Sequence, residues 1–365
     1  MWHRGPVPSH RPDATHPADH SPSTSRRPHL AARLEDRYHR VLSRLLRSRD
    51  WRPAVLPYTG YGSAGTTSQP GSVRVMARVL LTRPRREAGR PAGERRGYRS
   101  FFSAPAPGER VDVQIAGRSV ALHADRGGYL HATVDAQLEP GRHEVTYRVA
   151  TGECVTGDVV VVAPGDRLGV VSDIDDTVLV TALPRPLVAA WNTFARHPSA
   201  RHTVPGMADL YRGIQAAHPD APFVYLSTGA WNTAATLRRF LQTHGFPAGP
   251  LLLTDWGPTN TGWFRSGPEH KNAELDRLVQ EFPDVRWLLI GDDGQHDPEI
   301  YARAARLYPD HIAGIAIREL TPGQQLLAHG TPTALRQTHA EVVSAPDGRG
   351  LAVKLAAYLR PAPPD

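Results

Sequence analysis

One stretch constrains the fold of this chain more than any other: residues Val170 to Val178, with the sequence VVSDIDDTV. An apolar run ends here in three carboxylates and a threonine. A buried parallel strand that delivers acidic side chains at its carboxyl end is where α/β proteins place their chemistry. Asp173 and Asp175 are two positions apart, so a strand would put them on one side and a tight loop would fan them around one ion. Because close carboxylates repel each other unless a cation or protons intervene, the stretch favours bound Mg²⁺.

Two other interpretations of this stretch compete with a magnesium site. An acidic turn after a strand can serve only to cap the next helix. Asp173, Asp175 and Thr177 also occupy the first, third and fifth positions of an EF-hand calcium loop. That loop needs glycine at its sixth position and glutamate at its twelfth, where this chain has Val178 and Pro184. The calcium loop is therefore excluded, and the capping interpretation stays open on these residues alone.

Length and composition indicate a folded protein. The chain has 365 residues, of which 40% are hydrophobic, enough for two domains with large cores. No run approaches the ~20 apolar residues of a membrane span, and we expect no secretory signal at the amino terminus. The single cysteine, Cys154, excludes an internal disulfide framework and is typical of a reducing compartment. We therefore expect a cytoplasmic protein.

The charge of the chain is basic, with a formal net value of +7. Lys271 and Lys354 are its only lysines, and the other basic residues are arginines. This skew, with abundant Ala, Gly and Pro, is typical of a high-GC coding bias, so we expect no nucleic-acid partner. A basic surface attracts other polyanions, including anionic lipid and phosphorylated substrates.

Neither of the first two segments of the chain has the sequence pattern of a globular domain. Residues 1–29 are rich in Pro, Ser, His and Arg without a period, which predicts a disordered tail. Residues 30–52 are predicted to form a basic amphipathic helix, with leucines on one face and arginines on the other. Such a helix can lie peripherally on an anionic membrane. Packing of its leucines onto the neighbouring domain is the commoner outcome.

The remaining chain divides into two domains and an extension. Residues 53–165 contain short alternating segments separated by Gly and Pro turns, which predicts an antiparallel β-sandwich that packs or binds rather than reacts. Residues 166–330 alternate strands with helices, which predicts a parallel, Rossmann-like α/β sheet. Residues 331–365 are predicted to be a C-terminal extension with a helix over 351–359.

The pattern of the α/β domain also predicts its individual elements. The predicted strands are 168–172, 223–227, 251–254, 287–291 and 312–317. The predicted helices are 207–217, 233–243, 272–281 and 298–307.

Two features of this domain suggest an anion site. Ser227 and Thr228 follow an apolar strand and precede a glycine, so hydroxyls and free backbone N–H groups could cradle an anion there. The same residues often merely cap a helix. Lys271 lies at a predicted helix start, where it opposes the helix dipole unless it serves a purpose such as neutralising phosphate. An exposed lysine is the alternative.

A second acidic strand end repeats the first. Asp292, Asp293 and Asp297 follow the apolar run before Gly291, and Arg303 at the twelfth position excludes a calcium loop here too. Two strands ending in acid clusters, with a hydroxyl strand and a lysine between them, are hard to assign to helix capping by chance.

In this order the features resemble the four motifs of the haloacid-dehalogenase-like (HAD) phosphohydrolases. The contexts SDIDDT, YLS followed by WN, HK, and GDDGQHDPE are more closely similar to the actin-patch-type phosphatidate phosphatases and their bacterial relatives. The resemblance covers about residues 166–320. It implies a HAD phosphatase fold in that part of the chain.

The resemblance also implies a mechanism. Asp173 would be the nucleophile that forms an aspartyl-phosphate, and Asp175 the acid and then the base. Mg²⁺ would be held by Asp173, the backbone carbonyl of Asp175, and Asp292. The residues expected to hold the phosphoryl oxygens are Ser227, Thr228 and Lys271. The residues expected to support the site are Thr177, Asp293 and Asp297, of which the last is also an alternative metal ligand.

The resemblance implies that the substrate is phosphatidate. The inserts between the motifs are too short for a large cap domain, so the site should be open to an amphiphile with an anionic head. A phosphatase of a soluble sugar, nucleotide or protein phosphate is one alternative. Another is a membrane- or polyanion-binding adaptor with an inactive phosphatase fold, although such a module would not need Asp173, Asp175, Lys271 and Asp292 together.

Overall fold

The computed structural model describes residues 37, 41–65, 70–83, 104–165, 167–180, 202–254, 267–294, 296–328 and 339–360. These residues form a nine-stranded sheet followed by a six-stranded sheet whose strands alternate with helices. The predicted α/β class is confirmed.

The first sheet is built from the amino-terminal half of the described chain. Its strands are β1 Arg52–Pro57, β2 Gly60–Ser63, β3 Ser72–Thr82, β4 Ala104–Pro105, β5 Arg110–Ile115, β6 Arg118–His123, β7 Tyr129–Asp135, β8 Gly141–Val149 and β9 Cys154–Val162. Their order is β1-β3-β2-β9-β8-β5-β6, with β4 and β7 also paired to β3. The pairing of β2 with β9 is parallel, which corrects the expectation of a purely antiparallel sheet. These two strands are not joined by a hairpin, so nothing requires them to run antiparallel.

The core of the first sheet follows from the alternation of its strands. Along β3, the predicted face of Val73, Val75, Ala77, Val79 and Leu81 is fully buried. It packs with residues of β5 and β8, which are not neighbours of β3 in the sheet. The sheet therefore folds over on itself around one core.

The second sheet is entirely parallel. Its strands are β10 Arg167–Ser172, β11 Phe223–Ala230, β12 Leu251–Thr254, β13 Val285–Asp292, β14 Ile312–Arg318 and β15 Val342–Ala345, in the order β12-β11-β10-β13-β14-β15. Its helices are α1 Met207–Ala217, α2 Ala234–Thr243, α3 Gly267–Glu281, α4 Asp297–Leu307, α5 Pro322–Ala328 and α6 Gly348–Lys354. All five predicted strands are present.

The carboxyl-terminal part differs from its prediction. It supplies a sixth strand, β15, which is only four residues long and lies at the sheet edge, so it carries little periodic signal. The predicted helix over 351–359 is instead α6, which begins earlier because Asp347 caps it at Gly350 N, followed by a short 3₁₀ turn, Ala356–Leu359.

The strand order of the second sheet determines where a site can form. From β10 the chain moves outward to β11 and β12, then returns to the other side of β10 with β13. In open parallel sheets the crevice at such a reversal, at the carboxyl ends of the strands, is the usual ligand site. Both acidic stretches, after β10 and after β13, lie at this point.

The two sheets share an apolar contact. The Tyr58 ring, just after β1, stacks on Trp231 with ring centroids 4.3 Å apart, and Tyr61 lies 5.8 Å from Phe282. Both tyrosines, with Met76, belong to the same buried cluster as the core of the second sheet.

Trp231→Ala is expected to lower the free energy of unfolding by about 3–5 kcal/mol, because it empties a buried site that both sheets fill. Trp231 is 2% exposed. Urea unfolding measures the loss, with the exposed Leu307→Ala as control, expected to stay within ~0.5 kcal/mol of wild type. A loss below 1 kcal/mol for Trp231→Ala would show that this contact contributes little to stability.

The structure describes part of the predicted amino-terminal helix. Residues 41–47 are helical, Leu46 packs against the core of the first sheet, and Arg47 Nη2 lies 2.6 Å from Glu109 Oε2. Val41 and Leu45 are 57% and 45% exposed. The rest of the segment up to residue 40, apart from Arg37, and the predicted tail 1–29 lie outside the described residues. Within the part of the chain that is described, no helix has the length and apolar character needed to cross a membrane.

Candidate functional site

Asp173 follows β10 directly and is 3% exposed. Its backbone N–H donates to Ile290 O of β13 at 2.9 Å, and its carbonyl accepts from Ser172 Oγ at 2.6 Å. Ser172 Oγ also lies 2.6 Å from the hydroxyl of Tyr211 in α1. The backbone of Asp173 is therefore tied to the neighbouring strand and, through Ser172, to a covering helix.

Lys271 reaches Asp173 from α3. Its Nζ donates to Asp173 Oδ1 at 2.6 Å and to Asp297 Oδ1 at 2.5 Å, and its side chain is only 8% exposed. The described helix begins at Gly267, five residues before the predicted start, so Lys271 lies in its second turn. A buried ammonium needs paired carboxylates, and two are in place.

Three buried carboxylates converge beside this lysine. One oxygen from each of Asp173, Asp292 and Asp297 lies within 4.8 Å of the others. Asp292 Oδ1 accepts from Gly294 N at 2.7 Å. Asp297 Oδ2 is buried and has no hydrogen-bond partner among the described residues. Since a buried oxygen without a partner is costly, this group could hold a metal ion.

The electrostatics of the group favour a cation. Burial raises the pKa of Asp173 well above its usual range, with Lys271 acting in the opposite direction. Burial and the charge of Asp297 raise the pKa of Asp292 to about 8. Burial lowers the pKa of Lys271, but its two carboxylate partners outweigh burial and hold that pKa above its usual value. One ammonium therefore does not neutralise three carboxylates, and a divalent ion would.

Gly291 allows the carboxylates to approach one another. A Cβ at this position would lie 2.5 Å from Asp297 Oδ2 and 2.7 Å from the Tyr301 ring. Any side chain here would displace Asp297 from the group.

Asp175 lies outside the group of three converging carboxylates. It is more exposed than Asp173, and its Oδ2 accepts from Ser227 Oγ at 2.9 Å. Ser227 Oγ also accepts from Gly229 N at 2.9 Å. Ser227 and Thr228 lie within β11, which runs to Ala230 instead of ending at residue 227 as predicted. The structure thus places Ser227 of β11 in contact with the acidic stretch that follows β10.

Thr177 and Asp293, two of the residues predicted to support the site, differ in their hydrogen bonding. Thr177 is fully buried, and its Oγ1 has no hydrogen-bond partner in the described structure. Asp293 braces the next loop, because its Oδ1 accepts from Leu320 N at 2.8 Å and its Oδ2 from Gln325 Nε2 at 3.2 Å. Its backbone N–H donates to Arg318 O at 3.1 Å.

Sequence reasoning missed Arg318. This residue ends β14, is 4% exposed, and donates from Nη1 to the carbonyl of Asp176 in the first acidic loop. The available signal was a charged residue directly after the apolar strand predicted over 312–317.

The part of the chain that contains this site matches a known protein family. Residues 168–319 match the family described as the catalytic domain of phosphatidate phosphatase APP1. The resemblance to the actin-patch-type phosphatidate phosphatases is confirmed for this segment. All the site residues named above lie within this APP1-like segment.

Two curated relatives align over the same part of the chain. Phosphatidate phosphatase APP1 of Saccharomyces cerevisiae is 27% identical over 152 residues, which are 41% of this chain and 26% of the yeast protein. An uncharacterized protein of Schizosaccharomyces pombe is 28% identical over 158 residues, which are 42% of this chain and 26% of that protein. The chain thus spans about a quarter of the length of these relatives.

Similarity to solved structures is weak. A carbohydrate acetylesterase from Xanthomonas citri aligns with a TM-score of 0.28 and 11% identity, over 76% of this chain and 73% of that one. A likeness at this level carries no argument about fold or function.

Proposed function

We propose that this protein is a Mg²⁺-dependent phosphomonoester hydrolase that acts on phosphatidate through an aspartyl-phosphate. The observation that carries the proposal is the buried Asp173–Lys271 pair beside two further buried carboxylates, Asp292 and Asp297, within the APP1-like segment. We further propose that the second sheet is a HAD-type phosphatase fold and that the first is a β-sandwich domain. The parallel sheet with its site at the β10–β13 reversal supports this.

The residues present fit Mg²⁺. All the candidate ligands are oxygens, which Mg²⁺ prefers, and Asp297 Oδ2 has no other partner among the described residues. Asp173, the backbone carbonyl of Asp175, and Asp292 would hold the ion, with Asp297 as the alternative ligand. When bound, the ion would supply positive charge to the phosphoryl oxygens.

In the first step, Asp173 attacks the phosphorus atom with a carboxylate oxygen. A phosphorus–oxygen bond to Asp173 forms, and the bond to the alkoxide leaving group breaks. Asp175, in its protonated form, donates its proton to the leaving oxygen. Ser227, which already contacts Asp175, would hold a phosphoryl oxygen together with Thr228 and Lys271.

In the second step, a water molecule attacks the aspartyl-phosphate. Asp175, now ionised, accepts a proton from that water, and the bond between phosphorus and Asp173 breaks to release inorganic phosphate. Asp175 is the most exposed of the acidic residues between Asp173 and Asp176, which suits proton exchange with substrate and water. Asp173 is buried, which limits the access of bulk water to the aspartyl-phosphate.

The test is phosphate release from phosphatidate vesicles with Mg²⁺, beside a small aryl phosphate and a panel of soluble sugar and nucleotide phosphates. Faster turnover of the lipid is the expected result. Turnover of soluble phosphates alone would keep the chemistry and overturn the substrate. Turnover of none of them with Mg²⁺ present would favour an adaptor with an inactive phosphatase fold.

Asp297→Asn is expected to weaken Mg²⁺ binding by about 10- to 100-fold, as losses at or next to a metal ligand do. The measurement is the rise in unfolding temperature as Mg²⁺ is titrated. Asp209→Asn is the control, because Asp209 lies in α1 and its side chain is 75% exposed. An unchanged Mg²⁺ dependence would exclude Asp297 from metal binding.

We also propose a cytoplasmic protein with peripheral membrane contact through the helix at 41–47. Exposed Val41 and Leu45, close to exposed Arg44, support contact with anionic lipid. Changing both apolar residues to serine is expected to reduce sedimentation with anionic vesicles several-fold. Leu307→Ser, also at an exposed leucine, is the control. Equal sedimentation of all three proteins would remove the membrane contact.

A further inference from the structure

Arg318 connects the loops that surround the site. Its guanidinium donates from Nη1 to Asp176 O, from Nη2 to Gln324 Oε1 at 3.0 Å, and from Nε to Pro346 O at 3.3 Å. These acceptors lie after β10, in α5 and after β15. All three acceptors are neutral, and nearby carboxylates, among them Asp176 and Asp292, also act on the charge of Arg318. Through these hydrogen bonds Arg318 joins three separate segments of the chain.

The most consequential acceptor is the carbonyl of Asp176. Asp176 has φ of +57°, in the left-handed region that few residues other than Gly, Asn and Asp adopt. Its N–H donates to Leu179 O at 2.7 Å, and its carbonyl is held by Arg318. Hydrogen bonds at both the N–H and the carbonyl of Asp176 therefore hold its left-handed conformation.

This conformation contributes to the direction of Asp175, which also pairs with Leu179 in an isolated bridge. Asp176 follows Asp175 directly, so a change in its backbone dihedral angles would swing the peptide that carries the Asp175 side chain. The contact of Asp175 Oδ2 with Ser227 Oγ, at 2.9 Å, depends on that direction. Asp173 does not depend on it to the same degree, because its own backbone is bonded to Ile290 and Ser172.

We propose that Arg318 is a positioning residue for Asp175, acting through the backbone of Asp176. The inference rests on the proposed function, in which Asp175 is the general acid and base. A planar guanidinium spreads its N–H groups over three nitrogens and so reaches acceptors on several sides, whereas a lysine carries its three N–H groups on one nitrogen and would not span the same acceptors. Loss of Arg318 would therefore release the Asp176 turn while leaving Asp173 and Lys271 paired.

The leaving group of the substrate separates this role from a general loss of structure. An alkyl phosphate needs a proton on its leaving oxygen, whereas a dinitrophenyl phosphate releases a stable phenolate without one. The ratio kcat/KM reports the steps up to departure of the leaving group, before water attacks the intermediate. Misplacement of Asp175 should therefore lower kcat/KM for the alkyl ester far more than for the aryl ester.

The experiment compares wild type, Arg318→Met, Arg318→Lys and Arg303→Met with Mg²⁺ on a short-chain soluble phosphatidate and on dinitrophenyl phosphate. Arg303 is the matched control, because it lies in α4 and pairs with Asp276 at 2.8 Å, apart from the Asp176 turn. For Arg318→Met we expect a loss of about 100-fold or more on the alkyl ester and under about tenfold on the aryl ester. Arg318→Lys should show a smaller difference in the same direction, and Arg303→Met should stay within about twofold on both.

Equal losses on the two substrates in Arg318→Met, or an alkyl-ester loss no larger than that of Arg303→Met, would overturn the positioning role. If Arg318→Met does not fold, the same comparison of the kcat/KM losses on the alkyl and aryl esters is made with Arg318→Lys. A wild-type protein that turns over neither ester would instead overturn the proposed function, and the inference with it. The two failures are therefore distinguishable.

Discussion

Asp173→Asn is expected to lower kcat for phosphate release by about 10⁴-fold or more. An amide oxygen is too weak a nucleophile to attack phosphorus, and loss of a covalent nucleophile commonly removes effects of this size. The substitution is nearly isosteric, and the amide oxygen can still accept the hydrogen bond that Lys271 Nζ donates at 2.6 Å. Activity should therefore be lost without loss of the fold.

Two measurements check this result. Acid quenching during turnover should trap covalent phosphate on the wild-type protein and none on Asp173→Asn. In metal-free buffer the unfolding temperature of the variant should equal or exceed that of wild type, because one of three mutually repelling buried carboxylates has become neutral. Asp209→Asn, on the exposed side of α1, should retain full activity. Residual activity above a hundredth of wild type in Asp173→Asn would exclude Asp173 as the nucleophile.

Lys271→Met is expected to lower the free energy of unfolding by about 3–5 kcal/mol at neutral pH without metal. It removes the cation from two carboxylates that are almost fully buried, and a buried pair broken on one side leaves an uncompensated charge. Lys354→Met is the matched control, since Lys354 is the only other lysine and is exposed. The control should stay within ~0.5 kcal/mol of wild type.

The loss in Lys271→Met should grow as the pH rises. Without the ammonium, the pKa of Asp173 rises further above its unfolded value. A group with a raised folded pKa stabilises the folded state below the unfolded pKa, and this contribution disappears as the pH rises through the folded pKa. In wild type the raised pKa of Lys271 keeps its ammonium charged and paired with Asp173 and Asp297 from pH 5 to pH 8. Urea unfolding at pH 5 and pH 8 in chelator measures the difference, and a loss that is equal at both pH values would contradict this account.

The strand ends of the site could be predicted because their signal is local. An apolar run that stops at acids, as at Asp173 and Asp292, indicates a buried strand ending at a reactive edge. Parallel topology then brings such ends to the same edge of the sheet. The prediction of a cation beside Asp173 and Asp292 follows from the same reasoning, and Asp297, the predicted alternative ligand, lies in the same group of carboxylates.

Other parts of the site could not be predicted, because they depend on side-chain direction. The spacing of Asp173 and Asp175 suggested that both would surround one ion, but the left-handed Asp176 turn follows Asp175, whose carboxylate contacts Ser227 instead. Likewise, the buried contact of Arg318 with Asp176 joins residues 142 positions apart. No periodicity in sequence reports such a contact.

The sequence by itself determined the α/β class, five of the six strands of the second sheet and the resemblance of residues 168–319 to the APP1 catalytic domain, because hydrophobic periodicity and motif order are properties of neighbouring residues. Only the tertiary structure decided that Lys271 pairs with two carboxylates, that Asp297 lies beside Asp173 and Asp292, and that Arg318 bonds the carbonyl of Asp176. The edge strand β15 was also decided by tertiary structure, since four residues carry too little periodic signal. These features arise from residues far apart in the chain, whose burial and pairing exist only once the parallel strands have brought them to one edge.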